Sequence, residues 1–155
     1  MVEALFSFRL STEIFLIPLA PIERIVQMVA LRPIPGAPAD LPGLLTVRAI
    51  AVPVLDVRTR LGLPFGPPSV TDHLILLRIG GRRAALLVEE ALELVMPEQL
   101  QVTVDVIPAS FTGALPWIGG TVLYNGASRL VFDIEALLSF VPTLSAPTFI
   151  ELKAS

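Results

Sequence analysis

Apolar and polar positions alternate at the start of the chain. Over Ala4–Leu10, residues Leu5, Ser7 and Arg9 fall on one face and Phe6, Phe8 and Leu10 on the other. This period of two predicts a strand. Glu13–Leu19 follows after Ser11-Thr12, which reads as a hairpin turn. Apolar runs rich in Val, Ile, Leu and Phe predict further strands at Leu44–Val54, Asp72–Ile79, Ala84–Val88, Leu92–Met96, Ile118–Tyr124 and Ser128–Asp133. Gly80-Gly81 and Asn125-Gly126 suit two-residue hairpin turns because both tolerate positive φ. Short helices are expected at Asp56–Leu61 and Ile134–Phe140, each beginning at or just after an aspartate able to cap it. The 15 prolines are spread along the 155 residues. That is close to twice the usual share of about 5%, and it leaves little room for long helices. Leu31–Pro42 and Pro64–Thr71 read as loops, and 142–155 as a tail trailing along the surface. Many short strands joined by Gly and Pro predict a barrel or a sandwich.

The two halves carry a weak internal repeat. Phe8-Arg9-Leu10 and the segment Ile14 to Val26 resemble Leu77-Arg78-Ile79 and the segment Arg83 to Val95. Val54-Leu55-Asp56-Val57 resembles Val131-Phe132-Asp133-Ile134. The repeat points to two similar small barrels, and chance matching among apolar segments is the competing explanation.

Composition narrows the function. Hydrophobic residues make up 54% and charged residues 16%, against a usual charged share of about 25%. The mean hydropathy is +0.77. Such a chain folds, and it is expected to keep some apolar surface for partners. The net charge of −3 gives no global attraction to nucleic acid. With no cysteine and one histidine, disulfides, thiol catalysis and Cys- or His-rich metal sites are excluded. The uncharged run Val106–Ser128 is broken by prolines and glycines, so no direct membrane insertion is expected. A charged start with Glu3 and Arg9 and an alternating pattern does not read as a signal peptide, and the expected location is cytoplasmic.

Candidate chemistry is sparse. His73 follows Asp72 in a strand pattern, but no G-x-S-x-G elbow announces a nucleophile, so a histidine at a strand start is favoured. Glu89, Glu90 and Glu93 are the densest acids. Neighbours on a strand face opposite ways, so Glu89 and Glu90 are expected on a solvated edge or turn rather than converging. Gly80-Gly81-Arg82-Arg83 reads as a charged hairpin tip, not a phosphate cradle. No catalytic residue, cofactor or metal is expected.

The segment Leu44–Leu63 stands apart, because Arg48 sits within an apolar run. Such a charge must reach solvent, meet a carboxylate or lie at an interface. Gly43, Arg48, Pro53, Asp56, Arg58, Arg60, Leu61 and Gly62 fall in the register of a known signature, that of the CheW-like domain family of bacterial chemosensory adaptors, which this chain resembles. Supporting matches run from Phe8-Arg9-Leu10 through Ile34–Pro38 and Leu86–Glu90 to Leu130–Leu138.

The resemblance implies a mostly β fold of two intertwined five-stranded SH3-like β-barrel subdomains with short helices, as one domain over residues 1–141. It implies a non-enzymatic scaffold in two-component chemotaxis signal transduction, with no cofactor. Its implied partners are the regulatory domain of a CheA-type histidine kinase and the cytoplasmic tip of a chemoreceptor. The implied receptor groove is Arg24, Val47, Arg48, Ile50 and Val52, with Asp56 and Arg58 near the kinase contact or simply bracing a short helix. Two departures fall at this groove. The family's glutamate before Ile25 is Arg24 here, with Glu23 one residue earlier, and a one-residue shift on a strand changes faces. A Glu23–Arg48 pair is therefore expected to be missing. Ala49 stands where the family has glycine, a costly exchange if φ there is positive. These departures raise an alternative, an accessory domain that binds other signalling proteins or itself but no chemoreceptor.

Overall fold

The computed structural model of the protein describes residues 3–100 and 116–141. The tail expected at 142–155, and most of the first half of the uncharged run, lie outside them. The described strands are β1 (Leu5–Leu10), β2 (Glu13–Pro18), β3 (Ile22–Gln27), β4 (Gly43–Val47), β5 (Ile50–Leu55), β6 (His73–Ile79), β7 (Arg82–Val88), β8 (Glu90–Val95), β9 (Ile118–Tyr124) and β10 (Ala127–Phe132). A 3-10 turn spans Pro97–Gln99, and helix α1 spans Ile134–Leu138. Asp133 caps α1 by accepting from the Ala136 N–H at 3.1 Å, as its position predicts.

Two five-stranded sheets form, ordered β8-β1-β2-β10-β9 and β3-β6-β7-β5-β4. The two orders superpose strand for strand, so β1 corresponds to β6, β2 to β7, β3 to β8, β4 to β9 and β5 to β10. Each half of the chain therefore places strands in both sheets, and the sheets interlock. The halves meet at β1–β8 and β2–β10 in one sheet and at β3–β6 and β5–β7 in the other, and of these β2–β10 and β5–β7 are the parallel pairs.

The repeat seen in the sequence maps onto this symmetry. Arg9 of β1 pairs with Glu90 of β8 at 3.0 Å, and Arg78 of β6 reaches Glu23 of β3 at 3.7 Å. The Asp56 N–H donates to the Asp40 carbonyl at 2.8 Å, and the Asp133 N–H to the Trp117 carbonyl at 2.7 Å.

The core explains the unbroken apolar runs. In β6, Ile75 and Leu77 face a core shared by both sheets, while Leu74 and Leu76 face the interior of their own sheet. In β7, Ala84, Leu86 and Val88 take the shared side, and Ala85 and Leu87 the other. A strand buried on both faces needs no polar positions. Phe132 lies at the centre of the shared core, its ring 5.5 Å from Phe8, 5.4 Å from Phe15 and 5.0 Å from Trp117.

Two expectations need correction. Leu44–Val54 is not one strand but the β4–β5 hairpin, turning at Arg48-Ala49. Both turn residues have positive φ, 49° and 65°, without a glycine to announce it. Asp56–Leu61 is not a helix. The Leu61 N–H bonds to the Val57 carbonyl at 3.1 Å, but the chain then turns, with the Leu63 N–H on the Arg58 carbonyl at 2.9 Å and Gly62 at φ 71°. Positive φ at Gly62 ends any helical run there.

Candidate functional site

The β3-β6-β7-β5-β4 sheet curls until its edges, β3 and β4, approach each other. Just beyond β3 they meet, where Arg32 and Leu44 exchange two backbone hydrogen bonds of 2.9 and 2.8 Å. That approach requires Gly43, because a Cβ there would lie 2.8 Å from the Arg32 carbonyl oxygen. Between β3 and the β4–β5 hairpin tip the edges are not paired, and a cleft of about 390 Å³ opens between them.

The floor of the cleft comes from the middle strands, Leu76 and Leu77 of β6 and Ala84 of β7. Glu23 and Arg24 of β3 form one wall, and Val47, Arg48, Ile50 and Val52 of the hairpin form the other. All five residues expected in the receptor groove thus line one cleft, although Arg24 is 23 positions from Val47. Ile50 is 47% exposed at the lip, whereas Val52 is buried at the base.

A β-bulge between Ile22 and Arg24 sets the charges of the β3 wall. Glu23 is directed to Arg83 at 3.4 Å and Arg78 at 3.7 Å, not to Arg48. Among the described residues, neither Arg24 nor Arg48 has an ion-pair partner. The loss of a Glu23–Arg48 pair, expected from the one-residue shift, is what the structure contains.

Ala49 occupies the left-handed region at φ 65°, where an L-residue loses about 1–2 kcal/mol relative to its preferred conformations. Glycine relieves that strain but gains freedom in the unfolded chain. Ala49→Gly is expected to stabilise the protein by about 0.5–1 kcal/mol, read as a rise of about 1–4 °C in melting temperature. An unchanged or lower melting temperature would show that the hairpin holds its turn without strain.

Asp56 and Arg58 lie elsewhere, in a buried brace. Arg58 donates from Nε and Nη2 to the two Asp56 oxygens at 3.0 and 2.8 Å, and its own N–H reaches Asp56 at 3.1 Å. It also donates to the Gly66 carbonyl at 3.1 Å and lies 3.5 Å from Glu89. Glu89 accepts from the Ser11 N–H at 2.8 Å and faces Arg9 at 3.7 Å. The Arg58 pKa is raised, first by its hydrogen bonds to Asp56 and then by the charges of Asp56 and Glu89. The brace joins the segment after β5 to the β1–β2 turn of the other sheet. Glu89 and Glu90 therefore converge after all, both on Arg9, because Glu89 lies between β7 and β8 where strand alternation is broken. Sequence reasoning missed Glu89 as a brace, and also Asp40, which holds Arg60 at 2.6 Å.

His73 opens β6 at intermediate exposure, the position expected for a strand-start histidine. Among the described residues no three His, Cys, Asp or Glu side chains gather as a metal site. None of the described helices is long and apolar enough to cross a membrane.

The CheW-like domain family model matches residues 4–141. The chain is 27% identical over 104 residues to "Chemotaxis protein CheW" of Rhizobium meliloti (strain 1021), covering 66% of this chain and 67% of that one. It is 24% identical over 140 residues to "Chemotaxis protein CheW" of Treponema pallidum (strain Nichols), covering 87% and 81%. Its fold matches the crystal structure of the scaffolding protein TtCheW from Thermoanaerobacter tengcongensis with a TM-score of 0.71 at 20% identity, over 85% of this chain and 84% of that one. A signature that supplies the close-approach glycine, the hairpin arginine and the buried brace, together with a family match across nearly the whole chain, settles the relationship: the protein belongs to the CheW-like domain family.

Proposed function

We propose that the protein is a non-enzymatic cytoplasmic adaptor, one domain over residues 1–141, that couples chemoreceptors to a CheA-type histidine kinase in chemosensory signalling. One observation carries this reading: Arg24, Val47, Arg48, Ile50 and Val52 converge on one apolar-floored cleft at the open end of a sheet. Such a cleft, lined by aliphatic side chains and rimmed by arginines, suits a helical segment laid across it. The cytoplasmic tip of a chemoreceptor is the proposed occupant. The kinase regulatory domain is proposed to dock near the segment that Asp56 and Arg58 brace. Since both side chains are buried, they hold that contact in shape rather than touch it.

The first test titrates the labelled protein against the regulatory domain of its own organism's chemosensory kinase. Binding at micromolar strength or better is expected. A folded protein that fails to bind at high concentration would overturn the adaptor reading. It would favour an accessory domain that binds other signalling proteins or itself, a reading to which Arg24 and Ala49 already point.

A second expectation concerns Arg48, which is exposed at the hairpin turn with no ion pair among the described residues. Arg48→Glu is expected to leave the melting temperature nearly unchanged and to weaken receptor-fragment binding more than tenfold, about 1.4 kcal/mol or more. Loss of the folded state in that variant would instead give Arg48 a structural role.

A further inference from the structure

We propose that the cleft selects a partner segment carrying a carboxylate beside its aliphatic side chains, and that Arg24 and Arg48 receive that carboxylate. The inference rests on the adaptor reading and adds to it the chemistry of the occupant.

Three observations lead to it. The protein as a whole is acidic, with a net charge of −3, yet the cleft is lined by three arginines against one glutamate. That glutamate is already committed, since Glu23 lies between Arg83 at 3.4 Å and Arg78 at 3.7 Å. Arg24 and Arg48 are left on opposite walls, with no carboxylate partner among the described residues. Covering an unpaired guanidinium with an apolar partner strips its water without replacing it. A segment that brings its own acid restores the lost interaction and gains a charge-assisted hydrogen bond. A segment with a basic side chain at that point is rejected by repulsion.

The other half of the molecule supplies an internal comparison. By the correspondence of the strands, Val47 matches Tyr124 and the β3 wall matches β8. There the Tyr124 hydroxyl donates to Glu93 of β8, and Ser7 donates to the Glu93 carbonyl at 3.1 Å. Burial, with the Glu93 hydrogen bond, pushes the Tyr124 pKa up, so the hydroxyl stays a donor. One half spans the gap between hairpin and edge strand with its own donor and acid. The other half has valine at that position and two unpaired cations, so its acid must come from outside.

The test measures binding of a chemoreceptor cytoplasmic-tip fragment from the same organism, with the kinase regulatory domain as a second ligand. Changing the fragment's tip glutamates and aspartates singly to Gln or Asn is expected to identify one whose loss costs about tenfold or more. Arg24→Glu is expected to cost as much, Arg24→Lys far less, and wild-type affinity should fall as ionic strength rises. Kinase-domain affinity and melting temperature should not change in either variant. Equal receptor affinity for wild type and Arg24→Glu, without salt dependence, would sink the inference and leave the adaptor reading standing. Tighter binding by Arg24→Glu would sink it too, because that residue would then serve by pairing internally with Arg48. Kinase binding without binding of any receptor fragment would overturn the inference together with the receptor arm of the adaptor reading.

Discussion

Asp56→Ala is expected to cost about 3–5 kcal/mol of folding stability, measured by urea or thermal unfolding. The side chains of Arg58 and Asp56 are only 7% and 3% exposed, and the guanidinium grips both carboxylate oxygens. Removing the carboxylate leaves a buried cation whose remaining direct partners among the described residues are the Gly66 carbonyl and Glu89 at 3.5 Å. Uncompensated burial, more than the lost attraction, sets the size of the effect. From the Arg58 side the loss should not vary with pH. Its folded pKa is raised above the ordinary arginine value, so its contribution is complete below that ordinary value and fades only as pH rises through the folded pKa. Replacing both partners with apolar residues, as in Asp56→Leu with Arg58→Met, should recover much of the loss, because no charge is then left buried. A cost under about 1 kcal/mol for Asp56→Ala would mean that the pair does not brace the sheets. The two residues would then regain a direct role toward the kinase.

The brace shows where sequence reading reaches and where it stops. Alternation and turn chemistry located most described strands, because burying one face of a strand dictates its period. The β4–β5 hairpin was misread as one strand because its turn residues are Arg48 and Ala49, and neither looks like a residue for positive φ. The glycine-bearing turn at Asn125-Gly126 in the corresponding hairpin was legible for the opposite reason. Asp56 was read as a helix cap from its likeness to Asp133. The likeness is real at the backbone, where both N–H groups bond to a carbonyl just before the hairpin that the aspartate follows. It fails at the side chain, because Arg58 claims the Asp56 carboxylate, whereas Asp133 is left to cap α1.

The cleft was legible as a set of residues but not as a shape. Resemblance grouped Arg24 with the hairpin, and the departure from the family pattern foretold the missing Glu23–Arg48 pair. The partners Glu23 takes instead, Arg78 and Arg83, depend on the bulge in β3, and a bulge leaves no mark in the pattern of apolar positions. Glu89 was unreadable for a similar reason. Its role arises at the step from β7 to β8, where the chain leaves one sheet for the other.

That interlocking makes the second large effect global rather than local. Phe132→Ala is expected to destabilise the protein by about 3–5 kcal/mol. Phe132 is 1% exposed and packs on Phe8, Phe15 and Trp117, so it lies where strands from both halves of the chain meet. A close-packed core relaxes only partly around a missing ring, and the residual cavity adds to the lost transfer energy. Each sheet takes strands from both halves, so neither sheet can persist once the other has come apart. Unfolding of the variant should therefore remain one transition, with the emission of Trp117 and the far-ultraviolet signal changing together. The cleft belongs to the other sheet from Phe132, and its floor residue Ala84 is also part of the shared core. Receptor-fragment binding should thus weaken in step with the fraction unfolded, not ahead of it. Two separate transitions, or a melting temperature within about 2 °C of wild type, would show that the shared core does not couple the sheets.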